Sequence, residues 1–254
     1  MKAIILSAGQ GSRLLPLTES NPKCLLDLGQ GESVLRHQFS QLELAGVTEV
    51  IVITGFHAPL VAADIAKYKG KLSITLRYNP FYKVADNLGS VWLALRDIAE
   101  DCEQFMIVNG DTLFTASVAR ELLTQVKKNQ APITLAVSQK PRYDSDDMKV
   151  IRDGSQLLQV GKSLSLAEVN AESIGMMCFY GEGVSAFRTM VETSISAPDG
   201  TNVWYLAVIH RLASQIRIET AEVPQEEWCE IDFPVDYENA CQRVSEWREQ
   251  KPTL

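Results

Sequence analysis

Apolar residues along this chain alternate between two rhythms. Short runs rich in β-branched residues, at Ala3–Ser7, Glu49–Thr54, Ser73–Tyr78, Phe105–Val108 and Ile133–Ser138, have the length and composition of strands. Between them, apolar residues recur at helical spacing over Val34–Leu44, Val61–Tyr68, Val91–Ile98 and Val118–Val126. Strand and helix in succession predict β-α-β units, and so an α/β fold: a Rossmann-like, mainly parallel sheet flanked by helices.

The rhythm changes after Pro141. Asp144-Ser145-Asp146-Asp147 is polar and turn-like, and two short strand-like pieces, Met148–Ile151 and Leu157–Val160, flank Asp153-Gly154. This pattern predicts a β-hairpin inserted as a lid across the end of the sheet in the C-terminal half. A strand at Ile174–Tyr180, helices near Val184–Ile195 and Val203–Leu212, and a strand at Ile216–Val223 follow. A terminal helix begins at about Pro234, where proline suits a first turn. With no repeat, low-complexity tract or linker, one domain spanning 1–254 is expected.

Composition narrows the function classes. The chain has 254 residues, 46% apolar and 22% charged, enough to bury a sizeable core. Its net charge of -8 argues against a basic face for nucleic acid, so any phosphate ligand must be met by a few local cations. The five cysteines (24, 102, 178, 229 and 241) are scattered and never spaced C-x-x-C, and the three histidines share no metal-ligand spacing. Free thiols in a reducing cytosol are expected. The opening apolar run is too short for a signal peptide, and no stretch approaches the roughly 18 apolar residues of a membrane span. A cytoplasmic protein without membrane insertion is the expectation; no heptad or apolar stripe indicates an oligomeric state.

Chemistry concentrates first in the loop after the leading strand, Ser7-Ala8-Gly9-Gln10-Gly11-Ser12-Arg13, followed by Lys23. Ligands of open α/β sheets sit beyond the carboxyl ends of the strands, and glycines there let backbone N–H groups approach an anion. The dinucleotide pattern G-x-G-x-x-G fails, because Leu14 occupies the third glycine position, and G-x-x-x-x-G-K-[ST] is absent. Spacing alone leaves two readings, an anion cradle or a tight surface turn with solvated cations. Asp111, ending the apolar run Phe105–Val108, is placed for a hard cation or for a turn or helix cap. Asp232 is placed for a ligand or for the N-cap of the last helix.

The whole string K-A-I-I-L-S-A-G-x-G-S-R-L-x-P-L-T-x-x-x-P-K-x-L-L resembles the signature of the GT-A-like, Rossmann-like nucleotidyltransferases that activate phosphorylated sugars and alcohols with a nucleoside triphosphate. The resemblance implies that Arg13 and Lys23 contact the triphosphate and act catalytically, while Leu6, Ala8, Gly9 and Gly11 supply backbone. It implies that Asp111 and Asp232 hold Mg²⁺, from the segments I-V-N-G-D-T and E-I-D-x-P-x-D-Y, and it leaves Asp236 to helix capping or surface charge. Within the family, D-N-L-G-S-V-W-L-A, D-D-M-K-V and E-S-I-G-M look like the phosphocholine and aminoethylphosphonate cytidylyltransferase branch. That likeness makes Asn87 and Ser90 nucleotide-binding candidates beside Asp111, although Asn87 also suits a helix cap. It implies a nucleotide-binding half over 1–140 and an acceptor-binding half with the terminal helix over 141–254.

Lys149, preferred to Lys162, together with Glu172, Trp204 and Trp228, are the acceptor candidates; large aromatics there equally suit a core. The expected substrates are CTP and a small phosphorylated acceptor such as a phosphoalcohol or phosphonate, with Mg²⁺ as cofactor. The product would be CDP-linked, with pyrophosphate released. A hexose 1-phosphate with UTP, dTTP or GTP is the alternative, because the loop and both aspartates serve the whole family.

Overall fold

In the computed structural model, which describes residues 1–250, the first half of the chain keeps the expected alternation. β1 (Lys2–Ser7), α1 (Val34–Leu44), β2 (Glu49–Thr54), α2 (Ala58–Ile65), β3 (Ser73–Tyr78) and α3 (Asn87–Leu95) are followed by β4 (Gln104–Asn109), a short β5 (Thr112–Phe114), α4 (Ala116–Asn129) and β6 (Ile133–Ser138). The second half adds β7 (Lys149–Asp153), β8 (Gln156–Gly161), β9 (Ala171–Tyr180), α5 (Glu182–Ile195) and α6 (Tyr205–Leu212). It ends with β10 (Ile218–Glu222), β11 (Trp228–Glu230) and α7 (Pro234–Glu249). Several helices start earlier than their apolar spacing shows. α2 opens on Ala58-Pro59 and α3 on Asn87, because first turns are set by capping geometry and by proline rather than by an apolar face.

The main sheet has the order β3-β2-β1-β4-β9-β6-β10-β8-β7. β3, β2, β1 and β4 are mutually parallel, and β6 runs parallel with β10. β9 lies between β4 and β6, antiparallel to both. Parallel strands covered on both faces read as unbroken apolar runs, and residues of β1 and β4 divide between the faces accordingly. Ile4, Phe105 and Ile107 enter a core with residues of α3, α5 and α6; Ala3, Ile5, Met106 and Val108 enter a second core with residues of α1, α2 and α4.

The hairpin expected as a lid is present as β7–β8, but it is built into the sheet. Glu172 of β9 pairs with Ser138 of β6 on one edge, so its pairing with Lys149 of β7 uses the other edge, which β4 occupies further along. β7 therefore continues the line of β4 just past its end. Because β8 also touches β10 at Gln156, the pairings β9-β6-β10-β8-β7-β9 close into a ring. Val150, Leu157 and Val160 bury into the core from it.

The terminal helix closes a third apolar cluster. Ala240 and Val244 of α7 meet Leu14, Leu26, Leu28, Val34, Leu113 and Ile231. At its far end Arg248 pairs with Glu32 at 2.6 Å, and Trp247 stacks on His37 with ring centroids 5.9 Å apart. Burial pulls the Glu32 carboxyl upward, but the His37 ring 3.6 Å away and the hydrogen bond from Arg248 outweigh it and hold its pKa at about 2. A carboxylate depressed in the folded state stabilises above its unfolded pKa and loses that contribution as pH falls through the folded value. Glu32→Gln is expected to cost about 2 kcal/mol at pH 7. In urea titrations at a series of pH values, the gap from the unaltered chain should shrink between about pH 4.5 and pH 2.

Candidate active site

The site forms where β1 and β4 end side by side. A Cβ on Gly110 would lie 2.4 Å from the Leu6 carbonyl oxygen, so only glycine lets β4 run past β1 and deliver Asp111. Gly11 adopts φ +79°, and a Cβ there would sit 3.0 Å from Lys23 Cβ. These two positions bring the loop, the lysine and the aspartate together. Asp232 arrives from the other end of the chain. β11 pairs antiparallel with β5, Glu230 lies opposite Thr112, and the Ile231 amide donates to the Asp111 carbonyl. Asp236 accepts from the amides of Asp232 and Phe233, the capping role expected for it, and so holds the Asp232 backbone.

Lys23 Nζ lies 2.9 Å from Asp111 Oδ2 and 2.9 Å from Asp232 Oδ1. Arg13 takes the other Asp232 oxygen at 2.9 Å, reaches Asp146 at 3.5 Å, and lies over the Phe233 ring. Burial lowers the proton affinity of Lys23, but the charges of Asp111 and Asp232 more than reverse this, so the amine stays charged. Asp111 Oδ1 is buried without a partner. Glu230, which the sequence reading missed, completes a group: one oxygen each of Asp111, Glu230 and Asp232 lie within 4.8 Å of one another. The protein mass around Glu230, and then the negative charges of Asp111 and Asp232, raise its pKa well above the carboxylate norm. Its signal was its position two residues before Asp232, which in an extended segment places both on one face.

Three cavities meet here. One of about 820 Å³ is lined by Leu6, Gly9, Gly11, Arg13, Lys23 and Asp111, the expected nucleotide-loop residues, with Gln10, Ser12, Tyr82 and Lys83 added. Asp232 is shared with a second, of about 800 Å³, that contains Lys140, Glu172, Trp228 and Glu230. A third, of about 570 Å³, holds Lys162 and Trp204, and shares Asp86 with the first and Met148 with the second.

Other expected residues sit behind these walls. Ala8 is buried and its carbonyl accepts from the Phe56 amide. Ser90 is buried on α3 and accepts from Asn79. Asn87 does not cap its own helix; its side chain accepts from the Tyr205 amide and so ties α3 to the start of α6. Trp228 is largely buried, with an indole N–H that has no partner. Glu172 is salt-bridged to Lys140 at 2.9 Å, and burial raises its pKa against that partner.

Lys149, preferred on sequence to Lys162, lies in very different surroundings from it. Lys149 is 2% exposed and its amine donates to the Lys162 carbonyl at 2.9 Å, a tether inside the hairpin. Lys162 Nζ instead stands 4.5 Å over the Trp204 ring and 3.7 Å from Asp146, the same acid that meets Arg13. The difference follows from the pairing of β7 with β9, which buries Lys149.

The family model for nucleotidyl transferases matches residues 2–162. This chain belongs to that family. It transfers a nucleotidyl group from a nucleoside triphosphate to a phosphorylated acceptor. A CTP:phosphoglutamine cytidylyltransferase of Campylobacter jejuni is 25% identical over 94% of this chain and 98% of its own length. A mannose-1-phosphate guanyltransferase of Gibberella zeae is 32% identical over 44% of this chain, which spans only 31% of that enzyme. Among solved structures, the CTP:phosphocholine cytidylyltransferase of Streptococcus pneumoniae superposes with a TM-score of 0.75 at 18% identity, covering 96% of this chain and 98% of that one. A UDP-glucose pyrophosphorylase gives 0.80 at 14% identity, covering 97% of this chain and 99% of that one. Both share the fold. No helix among the described residues is long and apolar enough to cross a membrane.

The two lysines separate by assay in this nucleotidyl transferase. Lys162→Met should lower kcat/KM about a hundredfold with an unchanged melting temperature. Lys149→Met should destabilise by about 1–3 kcal/mol, because it strips the Lys162 carbonyl of its buried donor. Thermal melts beside pyrophosphate-release assays distinguish the two roles.

Proposed function

We propose that this nucleotidyl transferase is a Mg²⁺-dependent cytidylyltransferase that joins CTP to a small phosphorylated alcohol, phosphonate or similar acceptor. The observation that carries CTP is the extent of the likeness: the cytidylyltransferase aligns across nearly the whole chain, acceptor half included, whereas the guanyltransferase match spans 113 residues. That shorter match supports the second reading, a hexose 1-phosphate with UTP, dTTP or GTP.

The chemistry asks little of the protein beyond alignment and charge. An acceptor phosphate oxygen forms a bond to the α-phosphorus of the triphosphate, the bond from that phosphorus to the β-bridging oxygen breaks, and pyrophosphate leaves. A phosphate with a second pKa near 6 is largely dianionic at neutral pH. It needs no general base, in keeping with the absence of histidine from the lining of the cavity that holds Arg13, Lys23 and Asp111. Lys23 and Arg13 neutralise the triphosphate and the departing pyrophosphate. Lys162, on the Trp204 face, is placed to hold the acceptor phosphate. The neighbouring carboxyls and Trp228 border the volume left for the rest of the acceptor.

The donor set suits Mg²⁺. Its oxygens are hard, Asp111 Oδ1 has no other partner, and such an ion takes one or two carboxylates and keeps its remaining positions for water and phosphate. When bound, Mg²⁺ supplies charge neutralisation on the reacting phosphates.

Four nucleoside triphosphates screened against phosphocholine, 2-aminoethylphosphonate, phosphorylated amino acids and hexose 1-phosphates, with pyrophosphate as readout, test the assignment. CTP with a non-sugar acceptor should exceed every other pair at least tenfold; a winning UTP, dTTP or GTP with a hexose phosphate would replace it. Asp111→Ala should abolish Mg²⁺-dependent turnover while the melting temperature stays within a few degrees.

A further inference from the structure

Of the four carboxylate oxygens on Asp111 and Asp232, the protein's own cations hold three. Lys23 takes one from each acid, both at 2.9 Å, and Arg13 takes the second oxygen of Asp232. Only Asp111 Oδ1 is left over, and it is buried. A hard divalent ion arriving alone would therefore find one free oxygen on these two acids, with only the Glu230 carboxyl beside it, facing two positive charges, an arrangement that disfavours its entry.

We infer that Lys23 is the resident counter-cation of the metal site, and that a divalent ion enters between Asp111 and Asp232 only as a triphosphate draws Lys23 away. The inference rests on the proposed role of the two aspartates but not on the identity of the nucleotide. The stem of Lys23 runs beside Gly11, where an added Cβ would lie 3.0 Å from Lys23 Cβ, so the glycine keeps the start of that stem at the cleft wall. Its side chain is only 13% exposed, and that exposure is toward the cleft lined by Gly9, Gly11 and Arg13. The amine thus has two sets of acceptors: the paired acids when the cleft is empty, and phosphate oxygens when it is filled. Moving to the second set frees one oxygen on each acid for the ion. Metal and nucleotide then bind with strong positive coupling, and each raises the affinity of the other by the same factor.

The probe is Mn²⁺ alone, titrated into the full chain without nucleotide and read by loss of the free-ion EPR signal. Lys23→Gln should bind Mn²⁺ at least tenfold more tightly than the unaltered chain, and adding Asp111→Asn to it should reverse the gain. Lys23→Met, equally uncharged but unable to donate a hydrogen bond, should behave like Lys23→Gln. Variants that keep the normal melting temperature but gain no Mn²⁺ affinity would overturn the inference, as would a gain that Asp111→Asn leaves intact.

A measurement on the unaltered chain avoids dependence on any variant. The ¹⁵N signal of the Lys23 amine should be untouched by Mn²⁺ alone, but should shift on addition of the favoured triphosphate in EDTA. Broadening of that signal by Mn²⁺ alone would place the ion beside an undisplaced Lys23 and overturn the inference. Neither arm requires turnover or an acceptor. A failure here alongside Mg²⁺-dependent transfer would remove the counter-cation role and leave the proposed function standing.

Discussion

Two carboxylates brought within a few ångströms of each other repel, and burying either without a partner is costly. In this nucleotidyl transferase Lys23 resolves that conflict by donating to Asp111 and Asp232 at equal distance. The other features of the site serve this contact. Gly11 makes room for the lysine stem, Gly110 lets β4 bring Asp111 against β1, and Asp236 fixes the backbone that carries Asp232. Arg13 and Asp146 extend the charge alternation outward to Lys162, so the chain balances its own charges between the glycine loop and the hairpin.

The hairpin shows how sheet topology positions a binding wall. Because β9 is longer than β4, its free edge beyond the end of β4 is available to β7, and the hairpin continues directly past the tip of β4. Ring closure through β8 and β10 holds that wall by backbone hydrogen bonds on both sides. Lys149 and Lys162, close in sequence, consequently receive opposite fates: one is a strut inside the wall, the other a cation at the cavity mouth.

Local signals made much of this legible. The strands of the first half announced themselves because parallel strands covered on both faces need unbroken apolar runs, and the loop from Ser7 to Arg13 carried its chemistry in contiguous residues. What stayed hidden depended on contacts between distant segments. The direction of β9 depends on its neighbours rather than on its own residues. The three-residue β5 and β11 are too short for periodicity to register, yet their pairing brings Glu230 beside Asp111. The family resemblance made Ser90 and the Ala8 backbone candidates for the nucleotide, and sequence alone could not show that Ser90 would accept from Asn79 or that the Ala8 carbonyl would accept from the Phe56 amide.

The separation of 209 positions between Lys23 and Asp232 has a consequence for synthesis. A ribosome lays down the leading strands, the glycine loop and the first acid long before the second acid emerges. Until then Lys23 has half its anchoring, and the third apolar cluster lacks Ile231, Ala240 and Val244. The growing polypeptide therefore carries an incomplete pocket until the segment that threads β11 beside β5 has emerged.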